Sequence, residues 1–572
     1  MTDAAEPVLL NGYAAKQCPV VVQNDFSPLV PTLERVPSPE EAARLQAGRD
    51  FEARIFEQLV SLHPEAVVVD PRLPKSEAIS LTVQAMDSQA SLILGGWLPE
   101  DVEGARKGKP DILIRVDGGY VPGDVKSHKT IEAAKTPSIQ VSSLDVPAER
   151  VELSGWTVTS ARYDDGMQLA HYTRMLQACG RHPGPEWLRA AIVGTSQLAL
   201  KPSAAATFVF VWHDLAEPLG FTFSRSRGKV RRSLLERYDH EHGFRVEVAN
   251  TALSIVGAAD DPQPLVEAVG QVDCGACAYQ DWCADQLGPD DPSTAINVGG
   301  LRPREWLALR RMGIATTAAL AAVDADDPTF FEAYYPEVAN LTRDNARARL
   351  VKAITRAQMI CDGIKIARNG EGPVVVPEAD VEIDVDVEYD INDRVYMWGA
   401  RVRYGTDEST ARYIADFVDW QPLTDETERE LAARFVGWLR GECEAATAAG
   451  RSLKVFHWAP PERSRLVSLL GLAKVGDLVN PDTGAFLDLV MVFKSQFIAL
   501  HGASLKKVAP QFGFEWRVTD PGGAISQTYL AKVQTSADPV DVVTAKEWLL
   551  TYNEDDNAAM AAIRDGMRRW TT

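Results

Sequence analysis

Two hydrophobic periods alternate along this chain. Residues 1–40 show neither, and prolines at 7, 19, 28, 31, 37 and 39 break any regular element there. Ser38-Pro39-Glu40-Glu41 then reads as a helix start. Serine suits the cap, proline the first helical position and carboxylates the first turn. Phe51, Ile55 and Leu59 follow at a spacing of four, as on one helical face. Residues 64–130 read as strands. Their last stretch, DILIRVDGGYVPGDVK, is a hairpin that turns at Asp-Gly. Helices around 165–178 and 185–190 and a strand at FVFVWHDL come next, and 298–365 reads as helical throughout. Beyond the turn-rich NGEGPVVVPEAD lie strands VEIDVDVEY, VYMWGARVRYG and ARYIADFVDW, a helix from TDETERE onward, and strand LKVFHW. Mixed order of this kind predicts an α/β protein of several domains, with boundaries that divide it into 1–290, 291–370 and 371–572.

Composition fits that picture. A length of 572 residues, 45 % hydrophobic and 24 % charged, is that of an ordinary globular chain of several domains. No run of about 18 apolar residues is present, so no membrane partner is expected. The first residues lack a basic leader with a long apolar stretch, so the expected compartment is the cytoplasm. A net charge of −21 argues against a protein that coats duplexes by phosphate neutralisation, but not against a nuclease whose carboxylates hold metal. No Gly-x-x-x-x-Gly-Lys-Ser/Thr loop is present, so the chain is not expected to be a motor by itself. The basic stretch Arg225-Ser226-Arg227-Gly228-Lys229-Val230-Arg231-Arg232 reads equally as a phosphate contact or a solvated face.

The hairpin carries the first chemistry. With its turn at Asp117-Gly118, position 111 opposes 124, and Lys126 shares the face of Asp124. Two carboxylates so placed repel unless a hard cation such as Mg²⁺ or Mn²⁺ lies between them. Such a cation acidifies water and stabilises charge on a phosphate, and the lysine can orient that water. Pro110-Asp111 with Asp124-Val125-Lys126 resembles the PD-(D/E)xK nuclease superfamily. Gly48 with Glu52 upstream, and Gln168-Leu169-Ala170-His171-Tyr172 downstream, are similar to the remaining motifs of its RecB-like branch. That resemblance implies a restriction-endonuclease-like core. In it Asp111, Asp124 and Glu52 hold metal, Lys126 assists the attacking water, and Gln168 and Tyr172 position the strand.

Seven cysteines, an odd number, argue against a disulfide framework. Cys274, Cys277 and Cys283 are closely spaced, as thiolates on zinc or iron–sulfur are. One cysteine before the core, Cys18, and three after it resemble the iron–sulfur nucleases that include AddB. This implies a [4Fe–4S] cluster on Cys18, Cys274, Cys277 and Cys283, with a Cys₄ zinc site as the alternative.

Residues 301–323, LRPREWLALRRMGIATTAALAAV, resemble a helix-hairpin-helix; a plain helical linker is the competing reading. In the last third, Asp386 and Glu388 share one strand face, with Asp384 beside them, and Tyr552 and Asp556 share one helix face. Asp-x-Glu early and Tyr-x-x-x-Asp late resemble DnaQ-like exonucleases of the RNase H fold, in which a fourth carboxylate follows a strand. Here Glu462 stands where that pattern has Asp, His457 replaces Asn, and Asp488 is a second candidate. The longer glutamate would shift the metal. Together these resemblances imply a metal-dependent nuclease, acting as an exonuclease on single-stranded DNA in DNA repair or degradation, with a helicase or repair protein as partner. The alternatives are an RNA-directed nuclease working through the last domain and a non-catalytic nucleic-acid-binding subunit.

Overall fold

A computed structural model describes residues 7–159, 162–200, 206–218, 220–224, 228–296, 301–338, 340–480, 482–519 and 521–570. The chain divides into two compact units. One runs up to Val269 and includes Asp273–Gln286; the other is built mainly from Leu287–Val338 and Arg343 onward. Among the described residues no helix is long and apolar enough to cross a membrane. Of the basic stretch, Arg225, Ser226 and Arg227 lie outside the described residues.

The first unit is built on an eight-stranded sheet. Its strands are β1 (Val67–Val68), β2 (Leu92–Leu94), β3 (Ile112–Val116), β4 (Gly119–Val125), β5 (Ile131–Ser143), β6 (Val151–Val158), β7 (Arg189–Leu198) and β8 (Thr207–Asp214). They lie in the order β1-β2-β3-β4-β7-β8-β5-β6, and a separate hairpin pairs β9 (Gly220–Ser224) with β10 (Gly228–Arg232). The helices are α1 (Pro19–Phe26), α2 (Pro39–Leu62), α3 (Lys75–Asp87), α4 (Arg162–Ala178), α5 (Leu234–Leu253) and α6 (Gln280–Leu287). Helix α2 starts as its sequence dictates. Ser38 accepts from the Glu41 amide, and Glu41 accepts from the Ser38 amide. Phe51, Ile55 and Leu59 pack on one face of β3 and β4 beside Ile112, Ile114 and Val121. Leu113 and Tyr120 point the other way, against Tyr172, Met175 and Leu176 of α4. A sheet covered on both faces explains the near-continuous apolar runs of these strands.

Three expectations are corrected. Residues 1–40 do hold a regular element, α1, because Pro19 falls at the first helical position, where a proline is tolerated. The stretch 64–130 is not all strand: α3 interrupts it, burying Ala78, Thr82, Ala85 and Met86 at helical spacing. The helix expected at 185–190 is a single 3₁₀ turn, Pro185–Trp187, followed by β7 from Arg189. Ala190, Ala191, Ile192 and Val193 are fully buried in mid-sheet, and that burial overrides the helical propensity of alanine.

The second unit begins with short helices α7 (Pro292–Ala295), α8 (Pro303–Arg311), α9 (Thr317–Ala321) and α10 (Pro328–Tyr334), then α11 (Arg343–Cys361). Gly313, with φ +83°, makes the turn between α8 and α9. After β11 (Ile366–Arg368) come β12 (Val381–Tyr389), β13 (Val395–Tyr404), β14 (Asp407–Ile414), α12 (Asp425–Ala448), β15 (Leu453–His457), α13 (Pro461–Leu470), α14 (Leu472–Val479) and β16 (Phe486–Asp488). The chain ends with α15 (Leu489–Gln496), β17 (Phe497–Ala499), α16 (Leu505–Val508), α17 (Gly523–Thr535) and the long α18 (Pro539–Arg568). Strands β14-β13-β12-β15-β16 form one sheet, antiparallel among the first three and parallel from β12 to β16. The odd positions of β12, Val381 to Val387, pack with Leu431, Phe435 and Leu439 of α12. Its even positions turn to the opposite face, where α18 lies.

One glycine lets α18 approach that face. A Cβ on Gly399 of β13 would stand 1.5 Å from Asn553 Oδ1, and Asn553 is fully buried. Gly399→Ala is expected to destabilise the protein by about 1–3 kcal/mol through overpacking, read by urea unfolding of the full chain.

Candidate functional sites

In the first unit the hairpin turns at Asp117-Gly118, with Val116 opposite Gly119 and Ile112 opposite Gly123. That register carries Asp111, one residue before β3, opposite Asp124 on β4. Asp111 Oδ2 accepts from the Val125 amide at 2.8 Å. Burial pushes its carboxyl well above the usual range, and the neighbouring Asp124 and Glu52 push it further. Asp124 is 1 % exposed. Its Oδ2 makes no hydrogen bond, though the Lys126 ammonium lies against it as an ion pair. Burial alone would lower Lys126, but Asp124 outweighs it and holds the lysine above its ordinary value. Glu52, on α2, is raised by burial first and then by Asp124, against the pull of Lys109 and Lys126.

Gln168 and Tyr172 stand behind the lysine rather than in solvent; both are buried. Lys126 donates to Gln168 Oε1 at 3.1 Å, and Gln168 Nε2 donates to the Tyr172 hydroxyl at 3.2 Å. A second lysine, Lys16, reaches the same Gln168 oxygen at 3.4 Å. The intervening His171 faces away, contacting the Tyr238 hydroxyl at 2.8 Å and the Lys107 carbonyl at 3.1 Å. Burial drives its pKa down to about 3, so it is a neutral packing group.

The four cysteines meet although Cys18 is 256 positions from Cys274. Burial pushes the Cys283 thiol up to about 11, the Asn24 amide opposes this, and Cys277, Cys18 and Cys274 each add to the rise. Asn24 of α1 donates to Cys283 Sγ at 3.8 Å, and the Tyr279 amide to Cys277 Sγ at 3.4 Å. The Tyr279 hydroxyl donates to Asp25 at 2.6 Å, tying the start of the unit to its end.

The second unit holds a denser site. The even side of β12 presents Glu382, Asp384, Asp386 and Glu388. The first two are neutralised: Glu382 accepts from Arg403 at 2.7 Å, Arg564 at 3.0 Å and Arg568 at 2.6 Å, and Asp384 pairs with Arg564. Asp384 therefore belongs to a structural ion network and is set apart from the site. Among the described residues, the one trio of His, Cys, Asp or Glu with ligand atoms all within 4.8 Å is Asp386, Glu388 and Asp556. Burial raises all three. Asp386 stands well above the usual range, pushed next by Asp556, Glu388 and Glu462, and Glu388 reaches about 8.

Glu462, on the first turn of α13, completes the group. Burial raises it against the nearby His457, whose Nδ1 lies 3.4 Å from Glu462 Oε2. That Oε2 is buried without a hydrogen bond. Ala459, between them, sits at φ +100°, the strained turn that carries the chain from β15 into α13. Asp488 pairs in register with His457 but spends its carboxylate capping α15 through the Val490 and Met491 amides.

Helix α18 supplies the other side. Asn553 donates to Asp386 Oδ2 at 3.0 Å. Lys506 donates to the Tyr552 hydroxyl at 2.5 Å and to both Asp556 oxygens at 3.3 and 3.2 Å. Trp516 Nε1 donates to Asp556 Oδ1 at 2.6 Å, and Ser526 to Glu388 Oε2 at 3.1 Å. Lys506, Trp516, Ser526 and Asn553 escaped the sequence reading, as did Lys16. Asn553 alone had a signal, since it adjoins Tyr552 in the motif; the other four come from short elements, loops and helix starts with no period of their own.

Both carboxylate groups have the chemistry of an oxygen-ligated divalent cation: several acidic side chains lie together, and the one lysine beside each group does not neutralise them all. A family model of the RNase_H superfamily matches residues 414–568, a span that includes Glu462, Lys506, Tyr552 and Asp556. No curated protein and no solved structure gives a match. The second unit thus contains an RNase H-like domain, whose superfamily is typically made of metal-dependent nucleases.

Proposed function

We propose that the chain is a metal-dependent nuclease that hydrolyses phosphodiester bonds, working as an exonuclease on single-stranded DNA in DNA repair or degradation. The nuclease function is supported in the second unit, which contains the RNase H-like domain, by the gathering of Asp386, Glu388, Glu462 and Asp556, raised by burial and unneutralised by arginine; the cleavage of DNA itself we assign to the first unit. The RecB-like reading of the first unit rests on a separate fact: register and helix packing bring Asp111, Asp124, Lys126, Gln168 and Tyr172 into one hydrogen-bonded group. A bound divalent cation supplies charge neutralisation at the phosphate and a more acidic water. In the first unit Asp111 and Asp124, with Glu52 nearby, would hold it. In the second, Asp386, Glu388 and Asp556 would, with Glu462 beside Asp386.

The chain's own groups do the rest. Lys126 keeps its proton beside Asp124, and Gln168 fixes its direction, so the charge is aimed where a phosphate oxygen develops charge. Tyr552 accepts from Lys506 and is hydrogen-bonded to Asp556, which fixes its hydroxyl beside the carboxylates. In the cysteine site, Cys18, Cys274 and Cys277 all act on Cys283, and this gathering of four thiols supports a [4Fe–4S] cluster held by the four, with a Cys₄ zinc site as the alternative. An RNA-directed activity through the second unit is the alternative; the RNase_H match lies within that unit and bears on where the chemistry would sit, not on which strand is cut.

End-labelled single-stranded DNA with Mn²⁺ tests the reading. We expect Asp124→Ala to lower cleavage about 100-fold or more, the scale of losing a preorganised charge in a nuclease site. Loss in Asp386→Ala alone would move the chemistry to the second unit, and faster loss of a matched RNA strand would change the substrate. No cleavage by the wild type would overturn the nuclease reading.

Metal also governs stability. Glu388 binds its proton more tightly folded than unfolded, where a glutamate titrates near about 4.3. Its neutral form therefore stabilises the fold at low pH, and that stability is lost as pH rises from the ordinary carboxylate range towards about 8. Asp386, Asp556, Glu462 and Asp111 act in the same direction. The melting temperature of metal-free protein should fall between pH 5.5 and 8, and Mn²⁺ should restore it most at pH 8. A flat profile without metal would contradict the shared-burial account. Protein purified without oxygen should carry about four irons per chain and absorb broadly in the visible. Colourless protein with one zinc would exclude the cluster.

A further inference from the structure

Resting on the nuclease reading of the first unit, we propose that Lys16 is a second phosphate-binding lysine of that site, holding a backbone phosphate of the single strand while Lys126 serves the scissile one. The two lysines are in different states. Lys126 is paired with Asp124. Lys16 is half-buried; it donates to the neutral Gln168 oxygen at 3.4 Å and lies over the Tyr13 ring, whose centroid is 4.6 Å away. Asp165, Asp124 and Asp164 attract Lys16, but Asp165 also faces His128 at 3.2 Å and Asp124 carries Lys126. Two ammonium groups thus converge on one neutral amide oxygen, and burial together with Lys126 outweighs the pull of those aspartates on Lys16. An anion between them removes their repulsion, and a phosphodiester is the anion this site is built to meet.

The placement of Lys16 is enforced from both sides. Leu10 exchanges backbone hydrogen bonds with Ala105 and Lys107, each 2.9 Å, which anchors the segment ahead of the lysine. Gly12 lies directly on α4, where a Cβ would stand 3.2 Å from Gln168 Cγ and 3.4 Å from the Tyr172 hydroxyl. The turn is closed by the Lys16 and Gln17 amides donating to the Tyr13 carbonyl at 3.0 and 3.1 Å. Behind it Arg245 donates to the Gln17 carbonyl at 2.9 Å, and Cys18 follows at the start of α1. A long, flexible side chain on so firmly held a turn points its charge at one place, as a phosphate contact requires.

The test uses the full chain and a fluorescein-labelled oligo(dT) strand in Ca²⁺, with affinity read by anisotropy from low to moderate salt. Removing one phosphate contact from a single strand lowers the slope of log affinity against log salt by about 0.7. We expect Lys16→Gln to weaken binding about tenfold at low salt, the scale of one charge-assisted hydrogen bond, and to flatten the slope by that amount. Lys16→Arg should recover most of both. A merely structural role would weaken binding without moving the slope, and an unchanged affinity and slope would likewise overturn the proposal. Cleavage by Asp124→Ala distinguishes the two readings. If that variant cleaves normally, the first site is not the nuclease centre, and the salt slope still decides whether Lys16 meets phosphate.

Discussion

Everything in this structure that bears on function follows from burying carboxylates next to one another. Strand β12 shows the constraint in its simplest form. Alternation puts four acidic side chains on one face, and a face so charged cannot stand against a helix unless each charge is answered. Glu382 and Asp384 are answered by Arg403, Arg564 and Arg568. Two residues further on the arginines stop, and Asp386 and Glu388 meet only amide, hydroxyl and the lysine that also serves Asp556. The same strand is thus paired with arginine at one end and left without it at the other. The switch is made by which turn of α18 carries arginine and which carries Tyr552, Asn553 and Asp556.

The first unit solves the same problem with different parts. Its two aspartates come from facing positions of a hairpin instead of one strand, and a lysine stands beside them. Yet in both units a helix sends an amide and a tyrosine to the acidic group: Gln168 and Tyr172 from α4, Asn553 and Tyr552 from α18. An amide suits this place because it donates and accepts without adding charge. Gln168 uses its oxygen to aim lysines, whereas Asn553 uses its nitrogen to hold a carboxylate. Replacing either amide with a carboxylate of the same shape would reverse that logic by adding the one kind of charge these sites already have in excess.

How much of this was legible in the sequence depends on the period that encodes it. The period of two along VEIDVDVEY and the Asp-Gly turn at 117–118 define faces and register, so Asp111 opposite Asp124, and Asp386 beside Glu388, could be read directly. A spacing of four did the same for Gln168 with Tyr172 and for Tyr552 with Asp556. Asp384 was ambiguous because a strand face alone does not reveal where its arginines are; they lie about 20 and 180 positions away in the chain. Helix α3 was hidden because its buried residues, Ala78, Thr82, Ala85 and Met86, include too few strongly apolar side chains to stand out. Lys16, Lys506 and Trp516 were invisible for a further reason. Each is delivered by a turn or a short element, and only the packing of distant segments gives it a destination.

The net charge of −21 gives those few cations their weight. A chain this acidic repels a polyanion at long range, so its hold on nucleic acid must come from local fields inside clefts. A divalent metal bound at such carboxylates would do two things at once: satisfy them as they ionise and reverse the sign of the field that a strand meets. Lysines that are not consumed by a carboxylate then decide where the strand lies, because they remain as positive charge after the metal and the acids have balanced. Lys126 and Lys506 are largely consumed; Lys16 is not. In an acidic protein the informative cation is one that rests on neutral groups, as Lys16 does on Gln168 and Tyr13.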